Sequence, residues 1–229
     1  GQLVIQWPPL RREGFRYRPV LDFRDEGLRN VLLLMGPGTI GMAATQINVF
    51  VNTVLATGEG TGAVSWLDFA FRLMYLPIGL FGVSIATAAT PAVSRLVAQA
   101  DFGRIRSTLA HAIGLMLLLN VPAALGLIVL ARPIVSLIFE RGSFSAGDTA
   151  ATAAALQLYA VGLVGYSVVR IVSPTFYALR RSRIPVMVSA ASVVLNVALN
   201  LTLVRVMGFR GLALGTSITA LLNAGLQLW

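Results

Sequence analysis

Two arginines lie deep inside otherwise apolar sequence. Arg72 stands in Ser65-Trp66-Leu67-Asp68-Phe69-Ala70-Phe71-Arg72-Leu73, and Arg170 in Tyr166-Ser167-Val168-Val169-Arg170-Ile171-Val172-Ser173-Pro174. A guanidinium stays charged and presents a planar fork of donors that matches phosphate oxygens. Placing it in hydrocarbon costs about 3 kcal/mol by insertion scales unless it is paired or wet. Two readings of Arg72 follow. It snorkels to the nearby membrane surface and pairs with Asp68, one turn back on the same helix face, or it faces a wet cavity and binds an anion. Arg170 lies about ten residues, near 15 Å of helix, from the cluster Arg180, Arg181 and Arg183. Snorkelling over that length is harder, which favours a cavity position.

A polar stripe is the next signal. Asn196 and Asn200 are four apart and share a helix face. Thr216 and Thr219 lie in the following apolar stretch, and Gln46, Asn48 and Asn52 in the first. Such groups usually hydrogen-bond between membrane helices. The sharper reading is a cation site of amide, hydroxyl and backbone oxygens, the ligands hard cations prefer, although no carboxylate joins the set. Other chemistry is missing. There is no cysteine, so disulfides, thiolate metal sites and cysteine nucleophiles are excluded. The lone His111 reads as interfacial. No metal spacing, nucleophile elbow, phosphate loop or dinucleotide fingerprint occurs, and Gly58-Glu59-Gly60 lacks the lysine of a nucleotide loop. Nothing here argues for an enzyme, and no cofactor is expected.

The elements that hold these residues are membrane helices. Val31 to Ala56 runs without a charge, and a bilayer core needs about 20 such residues as a helix. Hydrophobic residues are 56% of the 229, charged residues 12%, and mean hydropathy is +0.79. Soluble domains carry about 25% charged residues. In hydrocarbon only helices or closed barrels satisfy the backbone, and the period-2 alternation of barrel strands is absent. The fold class expected is therefore all-α: a polytopic membrane protein of six transmembrane helices, spans about 30–57, 65–98, 104–131, 147–179, 184–205 and 210–229, with 1–29 ahead of them. Gly58, Gly60 and Gly62 mark the first turn, Asp101 and Gly103 the second. Gly142, Ser143 and Ser145 before Asp148 mark a loop and helix start, and the arginines near 180 with Pro185 a further break. Gly36-Pro37-Gly38 is expected to kink the first span, and Pro77, Pro91, Pro122 and Pro174 to bend the others.

Charge sets the expected topology. All 18 basic residues are arginine, and the net charge is +9. They lie between spans rather than on an aromatic-studded basic face, so nucleic acid is not an expected partner. Arg11, Arg12, Arg16, Arg18, Arg24 and Arg29, then Arg95, Arg104 and Arg106, then Arg180, Arg181 and Arg183 fall on one side. Arg132, Arg141, Arg205 and Arg210 fall on the other. That bias puts the N-terminal segment in the cytoplasm. Gly1–Leu10 does not read as a secretory signal, and the chain reads as part of something longer.

Several short motifs, in order, resemble the MurJ (MviN) family of bacterial lipid II flippases, within the multidrug/oligosaccharidyl-lipid/polysaccharide exporter superfamily. They are Met35-Gly36-Pro37, Gln46-Ile47-Asn48 with Asn52-Thr53, Val64-Ser65-Trp66, Arg72-Leu73-Met74 with Pro77, Gly82-Val83-Ser84, and Pro174 with Phe176-Tyr177. The resemblance runs from about Leu21 to Trp229. It implies one lobe of a two-lobe exporter fold: residues 1–29 end a preceding helix and form a cytoplasmic loop, and 30–229 form the second six-helix lobe. The missing first lobe would be its partner across a central cavity, with two further helices elsewhere.

The resemblance also implies an activity: moving undecaprenyl-pyrophosphate-linked disaccharide-pentapeptide (lipid II) from the inner to the outer leaflet of the bacterial inner membrane by alternating access. Lipid II and membrane lipids would be the partners. Arg72 would engage the pyrophosphate, Ser65 would line the cavity, and Arg170 falls where relatives often carry a basic residue. Phe71 stands where relatives commonly have aspartate, and Asp68 is expected to supply that acid. Asn52, Asn196, Asn200 and Thr216 match positions where some relatives bind sodium. Here Asn52 and Asn200 replace acids, which weighs against a sodium ion. Two alternatives share the composition: an exporter of another polyprenyl-linked glycan or of drugs, and a non-transporting membrane scaffold.

Overall fold

The structure is a computed structural model that describes Leu28, Thr39, Ala43 and residues 46–229. All of these but Leu28 belong to one compact unit, Pro37–Trp229. The described residues are helical, without a strand. In chain order they form α1 (46–57), α2 (Ala63–Pro77), a π-helical turn (Ile78–Gly82), α3 (Val83–Ala98), α4 (Phe102–Val129), α5 (Ala131–Phe139), α6 (Ala146–Ala178), α7 (Arg183–Met207) and α8 (Phe209–Leu228).

Among the described residues five helices are long and apolar enough to cross a membrane: Ala63–Ala98, Phe102–Val129, Ala146–Ala178, Arg183–Met207 and Phe209–Leu228. They match the second to sixth expected spans within a few residues. The first, 30–57, falls largely outside the described residues, as does its Gly36-Pro37-Gly38 kink, but its end is helical as α1. The helix starts follow their caps. Gly62 ends the first turn at φ 103, a conformation open to glycine at no steric cost. Asp101 accepts the Arg104 backbone N–H at α4. Ser145 and Asp148 close a reciprocal capping box at α6.

Two local expectations change. The stretch after 131 is not all loop, because α5 occupies Ala131–Phe139 and buries Ala131 and Val135. Its Pro133 falls in the first turn, where a missing N–H costs little, and its apolar residues recur at helical spacing. Thr149 on α6 donates to Glu140 Oε2 at 2.9 Å. Hydrogen bonds from Ser136 and Thr149 hold that carboxyl below its ordinary range. The prolines also differ among themselves. Only Pro77 adjoins a departure from α geometry: the π turn follows it, with the Val83 N–H reaching Ile78 O. Pro91, Pro122 and Pro174 sit inside continuous helices.

α6 is the centre of the packing. It lies against α2, α3, α4, α5 and α8, whereas α7 rests mainly on α8. Small residues allow the closest approaches, as membrane helix pairs require in the absence of a hydrophobic drive between them. A Cβ on Gly165 would meet the Ala220 backbone at 2.6 Å, and one on Gly211 the Leu203 carbonyl at 2.3 Å. One apolar cluster joins Leu67, Leu73, Met74, Leu156, Leu163 and Leu212; a second joins Met116, Val168, Ile171 and Val172. Leu118, Val194 and Val206 point outward and stay exposed. This inside-out distribution suits lipid as the solvent.

A cleft walled by arginine, tyrosine and asparagine

Four helices converge on an open cleft of about 910 Å³, lined by residues of α1, α2, α6 and α8. Three of the expected site residues, Ser65, Asp68 and Arg72, line it from α2, joined by Asn52 from α1 and Thr216 from α8. The α2 set follows from helix geometry: positions 65, 68 and 72 are separated by three and four residues, so they form one stripe. The opposite face of α2 carries Ala63, Ala70, Leu73 and Met74 into the core, which turns the polar stripe toward the cleft.

Arg72 Nε lies 2.9 Å from Asp68 Oδ2, with side-chain exposures of 71% and 51%. An exposed i,i+4 pair contributes only about 0.3–0.5 kcal/mol. Asp68 therefore orients the guanidinium without locking it. The contact uses Nε and leaves the terminal nitrogens of the fork available.

Arg170 is placed differently. It does not line the cleft but is attached to it through Tyr75, which does. Its guanidinium sits 5.4 Å over the Tyr75 ring, and its Nη2 donates to the Tyr75 hydroxyl. A cation over an aromatic face is stabilised by the ring quadrupole, so among the described residues a tyrosine, not an acid, holds this charge.

An aromatic wall was not anticipated from the sequence. Phe71 stands at its middle, with Tyr75 at 5.6 Å, Tyr159 at 5.5 Å and Tyr166 at 6.1 Å, the last two edge-on. All four line the cleft. The signal was present as spacing: Phe71 and Tyr75 are four apart, and Tyr159 and Tyr166 seven apart, each pair on one helix face.

The carboxamides form a ladder that ties α1 to α7 and α8. Asn48 Nδ2 donates to Asn196 Oδ1 at 2.8 Å, and Asn52 Nδ2 to Asn48 Oδ1 at 3.1 Å. Asn200 Nδ2 donates to Asn52 Oδ1 at 2.5 Å and to Asn196 Oδ1 at 2.9 Å. Asn196 Nδ2 reaches Thr216 and Thr219 Oγ1 at 3.5 and 3.4 Å. Asn196 and Asn200 thus lie behind the cleft wall, buried, rather than in it. For a sodium ion the donor set is poor. Every carboxamide oxygen in the ladder except Asn200 Oδ1 already accepts an N–H, and that one is pressed against Gly215, whose Cβ would come within 2.1 Å of it. No cluster of three or more acids, histidines or cysteines occurs among the described residues. These residues do not fit the ion.

Comparison with known proteins supplies a frame for this geometry. A family model described as lipid II flippase MurJ matches residues 1–229. The chain is 34% identical over 225 residues to the probable lipid II flippase MurJ of Vibrio cholerae, covering 98% of this chain and 43% of that protein. It is 32% identical over 227 residues to the lipid II flippase MurJ of Burkholderia cenocepacia, covering 97% and 44%. The chain thus spans less than half the length of these curated relatives. A solved lipid II flippase MurJ in an inward closed conformation superposes with a TM-score of 0.79 at 25% identity, over 98% of this chain and 47% of that one. An inward-facing multidrug resistance MATE family transporter superposes at 0.76 with 17% identity, over 92% and 50%, a likeness of fold alone.

Proposed function

Because the chain belongs to the MurJ family of lipid II flippases, we propose that it forms one lobe of a flippase that moves lipid II from the inner to the outer leaflet of the bacterial inner membrane. The physical task is to carry a pyrophosphate and sugars past hydrocarbon while the polyprenyl tail stays in lipid. A wet, cationic cleft between two rocking lobes meets that requirement by alternating access. In this reading residues 1–29 lie on the cytoplasmic side, 30–229 form the lobe, and the first lobe closes the cavity from the opposite side. No covalent chemistry is involved, so the protein acts as a transporter and not as an enzyme.

The observation that carries this reading is Arg72, whose terminal guanidinium nitrogens face an open cleft inside apolar spans while only Nε engages Asp68. Arg72 would bind the pyrophosphate, Ser65 and Asp68 would border it, and Arg170 would add positive charge beyond Tyr75. An arginine-rich cavity would also feel the membrane potential, worth about 2.3 kcal/mol per charge per 100 mV. The ladder of Asn52, Asn196, Asn200 and Thr216 would serve as a helix tie and not as a sodium site.

The test is complementation. Arg72→Ala in the full-length protein is expected to abolish rescue of a flippase-depleted strain at normal expression. Normal growth of that strain removes Arg72 from the mechanism. An exporter of cationic drugs would be expected to line its cavity with acids, whereas among the described residues Asp68 is the only acid of this cleft and is already paired.

A further inference from the structure

Tyr159 and Tyr166 carry polarity that no described residue uses. Tyr159 is 7% exposed and sits in the main apolar cluster with Leu163 and Leu212, yet it lines the cleft, as Tyr166 does. Both rings pack edge-on against Phe71. Phenylalanine would supply that packing equally well. A tyrosine withdrawn from bulk water normally finds a partner for its hydroxyl. Neighbouring polar aromatics obey the rule: Tyr75 accepts from Arg170, and Trp66 donates to Asp148 at 2.7 Å. Among the described residues the hydroxyls of Tyr159 and Tyr166 bond to none. They stand two turns apart on one face of α6, so both address the same space as Arg72.

The chemistry of that space suggests its occupant. A phosphate calls for cations, and a polyprenyl tail for aliphatic walls. A pyranose ring differs from both: it has an apolar C–H face beside hydroxyl and acetamido groups, and it matches aromatic surface combined with neutral donors and acceptors. We propose that Tyr159 and Tyr166, with Phe71 between them, form a glycan subsite next to Arg72. The half-buried Phe71 ring packs on the sugar's C–H face, and the two tyrosine hydroxyls bond its polar groups. The subsite rests on the reading of the cleft as the place where a lipid pyrophosphate is held; it adds the part of the ligand beyond the phosphates. Arg72 and the tyrosines then divide one amphiphile between them.

The experiment uses the full-length protein in lipid nanodiscs with two probes, lipid II freed of its pentapeptide and undecaprenyl pyrophosphate, so that the two differ only in the sugars. The wild type is expected to bind the sugar-bearing probe more tightly. Tyr159→Phe and Tyr166→Phe preserve ring packing, and each is expected to weaken the sugar-bearing probe about 5-fold while leaving undecaprenyl pyrophosphate within about 2-fold, the scale of one lost hydrogen bond. Arg72→Ala is expected to weaken both probes. Equal weakening of both probes by the phenylalanine variants, or no weakening of either, overturns the subsite, as does a wild type that holds the two probes equally. If Arg72→Ala leaves both probes unchanged while the phenylalanine variants still weaken the sugar-bearing probe alone, the pyrophosphate reading fails and the glycan contact stands.

Discussion

Arg72 shares a single carboxylate with the helix turn behind it, and the exposure of both partners limits what that contact can do. A pair this open contributes a few tenths of a kcal/mol, so its value lies in orientation. Asp68→Asn is therefore expected to leave the thermal midpoint of the full-length protein unchanged within about 1 °C, since about 1 kcal/mol is needed to move it by 2–4 °C. The same variant is expected to retain complementation, in contrast to Arg72→Ala. A defect as deep as that of Arg72→Ala would mean that the acid itself meets the substrate. Arg170 needs no acid, because the Tyr75 ring and hydroxyl hold its guanidinium. The embedded acid-base pair was legible from the four-residue spacing of Asp68 and Arg72. The Tyr75–Arg170 contact was not, since 95 residues separate its members.

At the level of elements, the lobe depends on how closely α6 and α8 approach. Gly162 and Gly165 face Ser217 and the Ala220 backbone, and backbone atoms cannot rotate away as a side chain can. Gly165→Ala must therefore separate the two helices. It is expected to cost about 1–3 kcal/mol, the usual cost of overpacking, read as a lower thermal midpoint in detergent. Gly114 on α4 is the control, with nothing within 4 Å of an added Cβ. Gly114→Ala should be neutral or raise stability by up to about 1 kcal/mol, because glycine is a poor helix former. Equal midpoints for the two variants would show that α6 and α8 are not packed this tightly. The π turn after Pro77 belongs to this scale as well. It directly follows Pro77, and its widened ring closes from the Val83 N–H to Ile78 O. A proline in the sequence marks a site of potential distortion; which of the four distorts its helix depends on neighbouring turns and contacts.

For the whole molecule, the carboxamide ladder bears on the coupling ion. It joins α1 to α7 through amide–amide bonds and α7 to α8 through threonine hydroxyls, and all of its amide oxygens but Asn200 Oδ1 accept an N–H. Transport by the full-length protein is therefore expected to be unchanged when external sodium is replaced by potassium. A sodium requirement would show that the amides turn over to expose their oxygens in another state of the cycle. In the proposed function the substrate cavity is likewise a property of more than this chain. Arg72 stands 71% exposed in its cleft, and the chain spans less than half of its relatives' length, so the opposite wall of the cavity would come from the other lobe.

The sequence alone determined the solvent and the secondary structure. Uncharged runs longer than a bilayer is thick must be helices in lipid, and caps such as Ser145 with Asp148 fix where they start. It also determined the stripe of Ser65, Asp68 and Arg72, because helix periodicity is a local property. Tertiary structure alone decided that Asn48 meets Asn196 across 148 residues and that Phe71 of α2 meets Tyr159 and Tyr166 of α6. It also decided that Arg170 stands behind Tyr75 rather than in the cleft. Such neighbours depend on how glycine and alanine faces let whole helices approach. No local spacing records that distance.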